Sequence, residues 1–295
     1  MAIQFDSSQL IMLNAVLAFM MFGVSLSLKV DDFSRVIRQP IAPAVGLVAQ
    51  FLLLPAATSF AVWALNIDPA LGLGMILVAC CPGGTFSNIM AFIGRANVAV
   101  SVSMTAVSSV VATVLTPLNF ALYGWLNPVT RPLLTTIQID ALNILLLVVL
   151  VLAIPLALGM AVGQRFPRLA QRAEQPMRLI GLMILLAFVA LAFAGNMDVF
   201  MAEGHRFVGL VLGHNALALL LGAVAATLTR LPRGDRRAIT LEVGIQNSGL
   251  ALVILFTFFP EASGMILIAA FWGVWHLISG LTLAVIWSRY PRRLA

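Results

Sequence analysis

The stretch CCPGGTFSNIM (residues 80–90) places Thr85, Ser87 and Asn88 directly after a proline and two glycines, in a region with no charged residue from Pro69 to Gly94. A second stretch, LEVGIQNSGLAL (241–252), repeats the arrangement. Glycines at 244 and 249 flank Gln246, Asn247 and Ser248, and an acid, Glu242, stands just before them. If a helix breaks at such a point, its unwound carbonyls can coordinate a cation, while the free N–H groups of the next half-helix can receive an anion. Each stretch therefore reads as half of a binding site. Glu242 fits that reading, because an acid at the centre of a bilayer costs about 2.5 to 3.5 kcal/mol on insertion scales and survives there with a functional partner.

The elements that must position these residues follow from composition. The chain has 295 residues, 61% hydrophobic and 9% charged, against roughly 25% charged in a soluble domain. It is expected to be an integral membrane protein. A hydrocarbon core about 30 Å thick takes about 20 apolar residues per helix, and nine long intervals lack Asp, Glu, Lys and Arg once Glu242 is allowed inside the eighth. They predict an all-α membrane protein of nine transmembrane helices, at about 9–28, 41–65, 69–94, 96–124, 138–163, 177–197, 204–229, 237–259 and 262–288, forming one domain over 1–295. Runs such as ALNILLLVVLVLAIPLALGMAVG (141–163) lack the alternation of a β-barrel strand.

Basic residues are retained on the cytoplasmic side. With the N-terminus outside and the C-terminus in the cytoplasm, 15 of the 17 Lys and Arg fall inside, and only Arg131 and Arg206 fall outside. The net charge of +6 thus reports topology and not nucleic-acid binding. The first span lacks a basic leader and a small-residue cleavage site, and reads as a retained helix. Adjacent Cys80 and Cys81 inside the membrane imply no structural disulfide. Sixteen arginines against one lysine suit a GC-rich bacterial gene, hence a multi-pass protein of the bacterial inner membrane.

The two polar stretches also look related. Asn88 and Asn247 are nearly as far apart in the chain as the polar positions in the preceding helices, Gln50 and His214–Asn215. Helices 1–4 and 6–9 would then be repeats, with helix 5 inverting the second copy. Inverted repeats with glycine-interrupted, polar helices at matching places point to the central site of a secondary transporter. Backbone unwound at that depth must line a cavity or be buried in protein.

CCPGGTFSN, EVGIQNSGLA, VWHLISG and MFGVSLSLKVDDF, each at the expected helix of this chain, together resemble the bile acid:sodium symporter family over essentially its whole length. The resemblance is to the nine-helix members. It implies a core and a panel domain, with two broken helices crossing in the core beside two sodium ions. A first sodium site would use Ser87, Asn88, Ser101, Thr105 and Glu242. A second would use Gln50, the Gln246 side chain and carbonyls near Glu242, Val243 and Ile245. Thr85, Asn247 and His276 would face the substrate. The ligands are all oxygens, which suits sodium and argues against zinc or copper. Ser101 and Thr105 are four apart and share a helix face. Phe86, where a small residue is usual, and Leu277, where relatives can carry Asn, depart from the family pattern and bear on the substrate.

The resemblance implies a symporter that imports a small organic anion, such as a bile acid or pantoate-like carboxylate, by alternating access. Two sodium ions would be its coupling ions, with no cofactor, and membrane lipids but no obligate protein as partners. The alternative on the same scaffold is proton coupling through Glu242, or arsenite-type metalloid efflux through Cys80 and Cys81. The metalloid version leaves the oxygen set unexplained. An enzyme is not expected, since no HExxH, nucleophile elbow or phosphate loop occurs. Taken singly, Ser101 and Thr105 would satisfy their own helix backbone, and His214 and His276 would bond neighbouring helices.

Overall fold

The computed structural model describes residues 7–26, 28–136, 141–195 and 197–289. The ends of the expected spans at 138–140 and 196 lie outside the described residues. Among those described there is no β-strand, and a lone antiparallel bridge pairs Gly83 with Gln246. The helices are α1 (Ser7–Ser25), α2 (Val30–Arg38), α3 (Ile41–Val48), α4 (Leu54–Ala64), α5 (Pro69–Cys80), α6 (Phe86–Ile93), α7 (Val98–Leu126), α8 (Arg131–Thr136), α9 (Ala141–Val148), α10 (Ile154–Arg165), α11 (Pro167–Gly195), α12 (Met197–Leu228), α13 (Arg233–Gly244), α14 (Ser248–Phe258) and α15 (Ser263–Arg289). Five described stretches are long and apolar enough to cross a membrane: Ile41–Ala64, Val98–Leu126, Leu142–Arg165, Phe207–Leu228 and Ser263–Arg289. Shorter apolar helices run Asn14–Gly23, Pro69–Cys80 and Ser248–Phe258. Large apolar side chains such as Phe60, Leu122, Leu146, Leu158 and Leu220 stand exposed on the outside, as on a protein solvated by lipid.

Two of these stretches contain a wide turn. Residues Ala49–Leu53 join α3 to α4 and Val149–Ala153 join α9 to α10 as π-helical segments. In each, a proline stands shortly after the turn, Pro55 and Pro155. Proline has no N–H for the carbonyl four residues back and its ring pushes that carbonyl aside, so the ladder widens there. Within the first turn the Phe51 carbonyl accepts from Asn119 Nδ2 at 2.7 Å. Gln50 sits in this turn.

The stretches 61–80 and 225–244 are built alike, offset along the chain by the same interval as Gln50 and His214. Leu65, Asn66 and Ile67 donate to the carbonyls of Ala61, Trp63 and Val62, and Thr229, Arg230 and Leu231 donate to those of Ala225, Thr227 and Ala226. Asn66 and Arg230 both take a left-handed conformation, φ 47° and 56°. The half-helices that follow, α5 and α13, each have 12 residues and end on corresponding positions, Cys80 and Gly244. Beyond the break the spacing shortens, because the residues that precede the next half-helices are Thr85 and Asn247. Asn88 is therefore not the counterpart of Asn247, although their residue types suggest it.

Around these breaks α13 packs on α12, α3, α6 and α7, while α15 packs on α5, α6, α12 and α14. On the other side α1 packs on α10, α11 and α14.

Candidate functional site

Each break has a sequence cause. Cys81 precedes Pro82, whose ring excludes helical backbone at the residue before it. Cys81 accordingly lies extended at φ −73°, ψ 158°, and α5 stops. At the second break α13 ends at Gly244, Ile245 is extended, and Asn247 caps α14 by accepting the Leu250 N–H at 3.0 Å. The carbonyls stranded at the two broken ends are met from neighbouring helices. Thr116 Oγ1 donates to Cys80 O at 2.8 Å, and Asn215 Nδ2 donates to Gly244 O at 2.8 Å, itself held by Ser279 at 2.6 Å.

The two unwound segments then satisfy each other. Gly84 N donates to Ile245 O at 2.6 Å and Asn247 N donates to Pro82 O at 2.8 Å. Such mutual pairing is what lets non-helical backbone persist in hydrocarbon. It also explains the glycines. A Cβ on Gly84 would lie 3.0 Å from Gln246 O, and one on Gly83 would press into the Glu242 carboxylate and come within 3.1 Å of Gln50 Nε2.

Glu242 is 0% exposed. Its Oε2 accepts from Ser87 at 2.5 Å and from Ser101 at 3.1 Å, and its Oε1 accepts from Thr105 at 2.6 Å. Ser101 and Thr105 also lie 2.8 and 3.3 Å from Asn88 Oδ1. The structure thus gathers Ser87 and Asn88 from α6, Ser101 and Thr105 from α7, and Glu242 from α13 into one cluster. A hydroxyl that gives its proton to the carboxylate keeps its lone pairs, so the cluster offers several oxygens and one negative charge. That is a donor set for a hard cation.

A second group of oxygens lies across Gly83. Gln50 is fully buried, and neither its Nε2 nor its Oε1 has a hydrogen-bond partner among the described residues. Gln246 donates through Nε2 to Val243 O at 2.8 Å, while its Oε1 has no such partner. Val243 and Ile245 are both buried, and the Ile245 carbonyl already accepts from Gly84. Buried amides without partners are uncommon, and an ion bound to their oxygens is one way to satisfy them.

Thr85 and Asn247 are half-buried at the starts of α6 and α14. Asn247 Nδ2 reaches the Met21 sulfur of α1 at 3.8 Å. His276 is buried on α15 and its Nδ1 has no hydrogen-bond partner among the described residues. No hydrogen bond among those residues joins it to Thr85 or Asn247.

Two supporting groups flank the site: His214 bonds a neighbouring helix as expected, while the second, around Arg237, is not legible from residue types. Thr58 bonds His214 Nε2 at 2.8 Å, with the ring against Trp272 at 4.7 Å between centroids. Arg237, on α13, donates to the Gly94 carbonyl that ends α6 at 2.8 Å. Asn97 Nδ2 donates to Asp235 at 2.7 Å. These bonds tie the end of α6 and the start of α7 to α13, which carries Glu242.

Residues 14–203 match the sodium bile acid symporter family. The chain is 32% identical to an uncharacterized sodium-dependent transporter, YocS, of Bacillus subtilis, over 94% of this chain and 83% of that protein. It is 31% identical to a probable chloroplastic sodium/metabolite cotransporter, BASS1, of Arabidopsis thaliana, over 94% of this chain and 67% of the other. A human sodium-dependent organic anion transporter is 29% identical, over 95% of this chain and 74% of its own length. All three are named as transporters and none as an enzyme. With its matching sequence and apolar helices, the chain belongs to the sodium bile acid symporter family, a multi-pass membrane transporter family dependent on sodium.

Proposed function

We propose that the protein imports a small organic anion together with two sodium ions, by alternating access. The observation that carries this reading is the buried Glu242 carboxylate, held by three hydroxyls at the meeting point of the two breaks. Beside it lie the unpartnered oxygens of Gln50 and Gln246. In this reading one ion lies among Ser87, Asn88, Ser101, Thr105 and Glu242, and the other among Gln50, Gln246 and the carbonyls near Glu242, Val243 and Ile245. The substrate anion lies at Thr85 and Asn247, where two half-helices begin and each offers about half a positive charge, with His276 lining the same cavity. The human relative, named a sodium-dependent organic anion transporter, supports an organic anion.

Nine spans follow if α3–α4, α5–α6, α9–α10 and α13–α14 each count as one crossing and the short α2 and α8 as none. The packing of α1 on α10 and α11 supports a panel of α1 and α9–α11, with the core formed by the rest. The test is thermal unfolding of the purified protein with a screen of organic anions. Sodium, against potassium at equal ionic strength, should raise the unfolding temperature. Saturation a hundredfold above Kd adds about 2.7 kcal/mol. Organic carboxylates or sulfonates should add to this only when sodium is present. Stabilisation by organic cations would overturn the anion, and absent stabilisation by sodium together with uptake driven by a pH gradient would favour proton coupling.

Two further results are expected. An Arg233→Cys protein should react with a membrane-impermeant maleimide only from the cytoplasmic side, since Arg233 is exposed and the native Cys80 and Cys81 are buried. Reaction from outside would invert the topology. Gln50→Ala should remove one sodium site only, lowering the steepness of sodium activation from about two towards one. By linkage the substrate affinity falls with it. Unchanged steepness would mean that Gln50 holds no ion.

A further inference from the structure

We propose that α2 is an interfacial helix that binds anionic phospholipid head groups through Arg35 and Arg38. The segment VDDFSRVIR joins α1 to α3 and contains no buried residue. Its acids stand in the first turn and its basic residues in the last, an order that complements the helix dipole. Lys29 N donates to Asp32 Oδ2 at 2.8 Å, which fixes its start.

One side of the helix is seated on the protein. Phe33 packs on Leu28, Ala106 and Leu156, beside Val102 and Met160. The adjoining side is apolar and uncovered, with Val30 60% and Ile37 82% exposed. These two are seven positions apart and form one stripe. The stretch that follows α2 in the chain, Ile41–Ala64, is long and apolar enough to cross a membrane, and it exposes Ile41, Val48 and Leu52. Lipid covers that stretch, and α2 ends just before it begins, so the uncovered apolar stripe of α2 is placed to meet lipid too.

The charges fit the boundary rather than the interior. At about 100° per residue, Arg38 lies about a quarter turn from the Val30–Ile37 stripe and about one turn from Arg35. With the stripe against the acyl chains, Arg38 lies level with the phosphates and Arg35 just above. Arg35 and Arg38 are both exposed, and the side chain of neither forms an ion pair or hydrogen bond with any described residue. Long basic side chains on an interfacial helix extend to the head groups in this way.

The test uses the full-length chain with Ile37→Cys, labelled with an environment-sensitive fluorophore. The native thiols are buried and Ile37 is largely exposed, so the fold is undisturbed. In phosphatidylcholine vesicles the label should emit as in an apolar environment. Brominated phosphatidylglycerol should quench it more than brominated phosphatidylcholine at equal mole fraction, with a local enrichment on the order of fivefold per arginine. Arg35→Gln with Arg38→Gln should bring the two lipids to equality, while Arg165→Gln with Arg168→Gln should leave the preference intact. Water-like emission, equal quenching in the parent, or loss of the preference only with the second pair would each overturn the proposal.

Discussion

Glu242→Gln is expected to lower sodium affinity by at least a hundredfold, and with it sodium-driven uptake, while the protein stays folded. The side chain keeps its shape. The three hydroxyls now on the carboxylate can rotate to accept from the new amide as well as donate to its oxygen, so no buried group loses its partner. What disappears is the full charge among the cluster's ligands. A factor of one hundred corresponds to about 2.7 kcal/mol, a modest figure for removing a charged ligand from a buried ion. The measurement is sodium-dependent thermal stabilisation of the variant beside its uptake into vesicles. Accumulation against a gradient that still requires sodium would rule out the Glu242 carboxylate as a sodium ligand. An unfolded variant would show instead that the hydroxyls cannot adapt, which Ser101→Ala in the same background would relieve.

Gly83→Ala is expected to be the most damaging one-carbon addition in the chain for sodium activation. The new methyl would press on the Glu242 carboxylate and approach Gln50 Nε2 at 3.1 Å. The carboxylate can yield only by leaving Thr105 or Ser87, so both groups of oxygens are disturbed together. At least a tenfold rise in the sodium concentration for half-activation should result, with a smaller change in unfolding temperature measured without sodium. Gly84→Ala is the contrast. Its methyl would meet the carbonyls of Gln246 and Ile245 at 3.0 and 3.3 Å. These are backbone and cannot step aside, so stability should fall first, by about 1–3 kcal/mol. Wild-type sodium activation in Gly83→Ala would mean that the carboxylate does not sit where the glycine admits it.

Residue types revealed some of this and hid the rest, for physical reasons. Glu242 was legible because an acid in hydrocarbon is rare, and the first break because Pro82 and two glycines cannot continue a helix. The repeat showed in the spacing of Gln50 and His214, which equals that of the turns at Asn66 and Arg230. Ser101 and Thr105 were not legible from types, because hydroxyls are common in membrane helices and usually serve their own backbone. Only the family resemblance singled them out. The wide turn at Gln50 left its trace in Pro55, yet a proline alone does not say whether a helix will kink or widen. The helix at 30–38 falls between the first two expected spans because its charges end the apolar run, although its apolar residues recur at helical spacing. Likewise α11 begins at Pro167, well before its apolar stretch, since charged residues end a membrane span without ending a helix.

The bonds from Gly84 to Ile245 and from Asn247 to Pro82 impose an order of events on the making of this protein. They join segments separated by more than half of the chain, so the first half-site leaves the ribosome long before its partner exists. At about 5–20 residues per second, the delay is roughly ten to thirty seconds. Throughout it the Pro82 carbonyl and the Gly84 N–H lack the groups that complete them, a condition hydrocarbon tolerates poorly. The newborn chain must keep that segment at the translocation channel, in water, or against a helper until α13 arrives. A chain that stops after α12 should therefore remain vulnerable to quality-control proteases however well its earlier helices insert, and the last part of the gene decides whether what precedes it survives.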